Sequence, residues 1–131
     1  MAQPTGLYDS FWHVESIKNK EGQELANLPL KTRQRMGFSI AMATQALSIK
    51  TPANWGSGWC RVDFQDETKG RVSDASWSIT EIAPSYPDDI NGESLMGHFP
   101  NEFDFQLIYD THLQIHSGKD GWTWTFRGVQ S

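Results

Sequence analysis

Apolar and polar residues alternate along most of this chain, and the alternation restarts after short polar breaks. The pattern is clearest near the C-terminus. Residues 103–109 and 112–116 alternate, the break at 117–121 reads Ser-Gly-Lys-Asp-Gly, and Trp122-Thr-Trp-Thr-Phe126-Arg127 follows. A period of two is the signature of a strand, because successive side chains point to opposite faces. Trp122, Trp124 and Phe126 therefore share one face, and Thr123, Thr125 and Arg127 the other. The same reading predicts strands over 11–17, 36–43, 44–50, 59–64 and 76–82. On the first, Trp12 and Val14 oppose Phe11, His13, Glu15 and Ile17. Both faces carry an aromatic, and the inward one is taken as that of Trp12. The strand over 59–64 sets Cys60, Val62 and Phe64 against Trp59, Arg61 and Asp63.

The breaks carry turn formers: Asn19–Gly22, Thr51–Gly58 and Asp66–Gly70. Pro29 forbids a long helix through 23–35, which leaves room for a short one from Leu30 to Arg35. Residues 83–101 hold Pro84, Pro87, Gly92, Gly97 and Pro100 and are expected to be an irregular lid or mobile loop. Residues 1–6 read as a loose arm. No repeat or composition shift divides the chain, so 1–131 is expected to be a single domain. About seven or eight short strands joined by turns point to an all-β fold, an antiparallel meander barrel with at most a short helix.

Composition narrows the function classes. The chain has 131 residues and six tryptophans, many large rings for one small core, each with an N–H to satisfy. Its net charge of −5, with no basic run beyond Lys31-Thr-Arg33-Gln-Arg35, argues against nucleic acid binding. No apolar run reaches the length of a bilayer span. The lone Cys60 fits a reducing compartment, and the start lacks a leader pattern. These features point to the cytoplasm, with an exported mature chain as the alternative.

Trp12 near the start of the first strand and Arg127 at the end of the last resemble the plug and lid of lipocalin-like (calycin) barrels. The resemblance implies that Trp12 closes the barrel floor while the Arg127 guanidinium packs over its indole. The C-terminal third is also similar to META/HslJ-type β domains. Their mid-chain Gly-Cys-Asn segment is not met here, where Gly58-Trp59-Cys60-Arg61 stands. Ser10 stands where the lipocalin-like pattern has a Gly. The lipocalin-like resemblance implies small apolar ligands held in the barrel.

Candidate chemistry is sparse. His112 and His116 would pair for metal on a helix, but on a strand they are two outward histidines. His13 and Glu15 share a face and become a buried acid–base pair only if that face is the interior. Cys60 reads as a small core residue. Ser57 lies between two glycines without the full nucleophile-elbow spacing, and its segment reads as a flexible turn. Asp88–Glu93 falls short of a calcium loop and reads as a solvated turn. No metal or cofactor is expected.

The leading expectation is a barrel that binds a small hydrophobic or aromatic molecule against Trp122, Trp124, Phe126, Trp77, Phe38 and Tyr109, with Trp55 at the mouth. One alternative is a cofactor-free isomerase, cyclase or hydrolase using Glu15, His98 or Asp104. Another is a protein-interaction module such as an inhibitor or immunity protein, with an exposed apolar or acidic patch built from Trp55 and the 85–99 loop; a homodimer or protein partner is the matching expectation. An open cavity separates the first two from the third.

Overall fold

The alternating runs pair in sequence order, each with the next. The computed structural model describes residues 6–109 and 111–130, so most of the expected N-terminal arm lies outside the described residues. The strands are β1 (Ser10–Lys18), β2 (Gly37–Ile40), β3 (Ala46–Lys50), β4 (Trp55–Phe64), β5 (Lys69–Ile79), β6 (Phe103–Ile108), β7 (His112–His116) and β8 (Thr123–Gln130). Two helices interrupt them, α1 (Leu30–Arg33) and α2 (Pro87–Met96). Every pairing is antiparallel, and β8 returns to β1 to close a barrel of eight strands. The all-β antiparallel barrel is as the alternation predicts, and closure gives every strand a neighbour on each side.

A bulge resolves the two-faced first strand. The β1–β8 register runs unbroken from Ser10↔Gln130 to Val14↔Phe126, then shifts between Val14 and Ser16. The extra residue reverses the alternation, so Trp12, Val14 and Ile17 all reach the core. Glu15 stays half-buried, while His13 is buried despite lying opposite in phase to Trp12 and Val14. Beyond the strand, Glu24 fastens the chain back onto β1. Its carboxylate accepts from the Ser16 hydroxyl and from the backbone N–H groups of Ile17 and Ala26. Burial alone would raise its pKa; those three hydrogen bonds and nearby Lys18 outweigh it and hold the carboxyl below its usual value.

Trp12 fills the barrel floor, where it is 1% exposed and its indole N–H donates to the Leu7 carbonyl at 2.9 Å. A Cβ on Gly128, its register partner, would stand 2.8 Å from the indole ring. The glycine at 128 thus makes room for the tryptophan. The expected Arg127 lid does not form. Arg127 follows the inward Phe126, so it points outward and is exposed, and the Gly128 backbone lies against the indole instead.

Other boundaries move for local reasons. β2 ends at Ile40 because residues 41–45 turn back, with Gln45 at a φ of +59° and its N–H donating to Ala41. Met42, expected in the strand, is exposed on that turn. β4 begins at Trp55, so Ser57 is a strand residue and not part of a turn. The largest correction is in 83–101, where α2 forms ten residues of helix. Pro87 opens it with φ already set, and Asp88 and Asp89 in the first turn complement the helix dipole.

The helix is fastened at several points. Arg35 pairs with Asp89 at 2.7 Å, and Glu93 accepts from the Ala53 N–H and the Asn54 amide. Gly92 faces Pro52 and Met36; a Cβ there would stand 2.6 Å from Pro52 Cγ. The meander places both helices, the 51–54 loop and the 117–121 turn at the end of the barrel opposite Trp12.

Candidate functional site

Between Trp12 and that helical end, four aromatic side chains from three strands converge. β8 sends Trp124 and Phe126 inward, β2 sends Phe38, β6 sends Phe103, and all four are buried to 2% or less. The Phe38 ring lies 5.1 Å from Phe126 and 6.1 Å from Phe103, both near edge-on. Trp124 and Phe126 stack at 6.0 Å. Edge-on and offset contacts of this length are the favourable arrangements for aromatic quadrupoles.

Into this cluster goes Phe99, which comes from the connection after α2 and from no strand. Its ring lies 5.2 Å from Phe38, 5.6 Å from Trp124, 5.8 Å from Phe103, 5.9 Å from Trp77 and 6.4 Å from Phe126. It is 5% exposed. Sequence reading missed it because the prolines and glycines around it marked a loop. The available signal was Phe99 close behind Leu95 and Met96, a cluster of large apolar residues in a segment read as loop.

The rim is built from Trp77, Trp122 and His98. Trp77 and Trp122 are half-buried, and the exposed His98 ring packs on Trp122 at 4.5 Å. Two polar groups are out of balance at this end. Trp124 Nε1 and Ser117 Oγ are buried without a hydrogen-bond partner. The register sets Trp124 opposite Ile115, one step inside the 117–121 turn. An orphaned buried donor costs about 1–3 kcal/mol, so it marks a place where an acceptor would be stabilised.

The expected site residues therefore separate. Trp124, Phe126 and Phe38 meet in the cluster, with Trp77 and Trp122 at its edge. Tyr109 does not join them. It occupies the turn after β6 with a φ of +57° and is 88% exposed. Trp55 is 61% exposed on the outer face of β4, because the inward positions there belong to Gly56 and Gly58.

Nor do the catalytic candidates converge. Glu15 reaches His112 Nε2 at 3.4 Å on the barrel's outer side. Asp104 alternates with the buried Phe103 and Phe105, so it faces out and pairs with Arg71 at 2.9 Å. Arg71 also binds Glu102, and these two carboxylates raise its pKa. Only His98 stands beside the aromatic end. Among the described residues the buried titratable side chains are His13 and Cys60. Burial pushes the Cys60 thiol up to about 11, which keeps it protonated and a poor nucleophile. Ser57 sits in mid-strand between Ser48 and Ser78. The acidic run 88–93 is spent on helix contacts, and no group of three metal-ligating side chains occurs among the described residues. No helix is long and apolar enough to cross a membrane.

No family profile matches the chain, and no curated protein does. Two solved structures share its architecture. One is the NMR structure of a protein from Burkholderia xenovorans, with a TM-score of 0.71 and 16% identity, over 95% of this chain and 85% of that one. The other is the crystal structure of a DUF4847 family protein from Bacteroides vulgatus, with a TM-score of 0.58 and 14% identity, over 95% and 96% of the two chains. At identities this low, the likeness is one of fold.

Proposed function

We propose that this barrel is a binding protein for a small, largely apolar or aromatic molecule that carries one hydrogen-bond acceptor. The ligand would enter at the helical end and take the place of the Phe99 ring. The observation that carries the reading is the buried, unpartnered Trp124 N–H inside an otherwise apolar aromatic wall. Such a wall with a few polar groups, here Trp124 Nε1 with Ser117 Oγ at the same end, is the usual composition of a small-molecule site. Phe99 supports it too, since a ring supplied by a connecting segment can withdraw while the strands stay in place. α2 is fastened to the 51–54 loop and to Arg35, so the movement falls on residues 97–101. Catalysis is the weaker reading, because Glu15, His98 and Asp104 lie apart. The lipocalin-like kinship belongs with this proposal, with Trp12 as the floor plug and Arg127 outside it.

The test uses the Phe99→Ala variant and the wild type. Both are titrated with indole, naphthol and benzene while the tryptophan indole N–H signals are followed by NMR. Truncating a buried Phe costs about 3–5 kcal/mol, so the variant is expected to melt lower and to be restabilised by ligand. The Trp124 N–H should shift most, and with naphthol more than with benzene. If neither form binds, or if shifts fall only on Trp55 and Trp59, the barrel interior is a packed core and the proposal fails.

A further inference from the structure

The outer face of β2–β5 carries a second arrangement that the barrel interior does not need. Trp55 and Trp59 both point outward from β4, 61% and 66% exposed. They stand four positions apart along the strand, about 13 Å at strand rise. Single exposed apolar residues are ordinary, but two indoles in line on one face form a patch of the kind that marks an interaction site. Between them runs a line of hydroxyls in register: Ser39↔Ser48, Ser48↔Ser57 and Ser57↔Ser78. Beside the line opens a cleft of about 250 Å³, walled by Asp9, Phe11, Ser39, Ala41, Ala46 and Ser48. In the register rows that hold the tryptophans and serines, Lys50 beside Trp55 is the only charged side chain.

We infer that this face is a binding platform for a neutral oligosaccharide chain, with sugar rings stacked on Trp55 and Trp59. The C–H face of a pyranose ring presents partial positive charge to the negative face of an indole. Serine hydroxyls both donate and accept, which suits sugar hydroxyls that do the same. On the protein side the charges at the platform are Lys50 beside Trp55 and Asp9 at the cleft, and a neutral sugar brings none. The spacing of the indoles fits an extended chain better than a single sugar.

The same features weigh against other occupants. Nucleobases also stack on tryptophan, but a strand of nucleic acid needs a positive groove, and this chain carries a net −5. Protein interfaces enrich tryptophan but deplete serine, and here serine fills the middle. For a second copy, every strand already has a neighbour on each side, so no whole strand is left to extend. This site is separate from the proposed barrel ligand and stands or falls without it.

Affinity electrophoresis tests the inference. The full-length protein is run through native gels containing soluble β-1,4-glucan, β-1,3-glucan, xylan or starch, with heparin as the anionic control. Retardation by at least one neutral polysaccharide is expected, with little by heparin. Trp55→Ala and Trp59→Ala should each weaken it by tenfold or more, and Ser57→Ala by a few-fold. These side chains are exposed, so the variants should keep the wild-type melting temperature; Phe99→Ala should bind as the wild type does. The idea is overturned if no neutral polysaccharide retards the protein. It also fails if retardation survives the Trp55/Trp59 double variant. Concentration-dependent dimerisation abolished by that double variant would assign the face to a second copy instead.

Discussion

Cys60 shows how one residue's surroundings set its chemistry. It is 7% exposed, its thiol lies 3.9 Å from the Gln45 carbonyl, and desolvation raises its pKa from 9.0 to about 11. The protonated thiol is thus favoured in the fold. Stability from this group is complete below pH 9 and is lost as pH rises through about 11. The wild type should therefore lose more melting temperature between pH 9 and 11 than Cys60→Ala does. Thermal melts of both proteins across that range, compared as a difference, remove the background from Lys and Tyr. Equal pH slopes would show that the thiol titrates as it does in the unfolded chain. In the sequence, Cys60 beside Val62 and Phe64 already pointed to the core. The height of its pKa came only from what packs around it.

Among the elements, α2 was the least legible and is the most consequential, because it delivers Phe99. Pro87 and the acidic pair Asp88–Asp89 were start signals, yet Gly92, Gly97 and Pro100 read as loop. Gly92 is there for packing: it lets the helix close on Pro52 and Met36. A Gly92→Val replacement should therefore destabilise by more than helix propensity alone would suggest, by about 1–3 kcal/mol for the forced overpacking. Gly97→Ala is the matched control, since Gly97 has helical φ and its nearest Cβ contact would be 3.2 Å. Urea unfolding of both variants checks this. A Gly92→Val protein as stable as Gly97→Ala would mean that α2 shifts outward at little cost.

For the molecule as a whole, closure is the decisive event. β1 and β8 pair over eight register positions, joining the two ends of the chain, and Trp12 meets Gly128 across that seam. Contacts so distant in sequence are slow to form, because loop closure precedes the reward. Removing residues 123–131 would take away Trp124 and Phe126 and bare the edges of β1 and β7. The truncated chain should lose the dispersed amide spectrum of the full-length protein. If an NMR spectrum of the truncation stayed native-like, the barrel would not depend on its seam.

The alternation of residues by itself determined the all-β class, the antiparallel meander and most strand positions, because strand periodicity is local and survives in one dimension. It also placed Trp12, Phe38, Trp124 and Phe126 inside. Tertiary structure decided the rest. The bulge in β1 let Ile17 join Trp12 and Val14 inside while Phe11 stayed outside, and glycine at 128 gave Trp12 a neighbour that Arg127 had been expected to be. Asp104 and Tyr109 were turned outward by the strand phase and the turn that hold them. Phe99 entered the aromatic cluster from a segment that looked irregular, and Trp55, Trp59 and the serines met on one outer face only through register across four strands. Each of these depends on which strand lies beside which, and that is fixed by closure of the barrel.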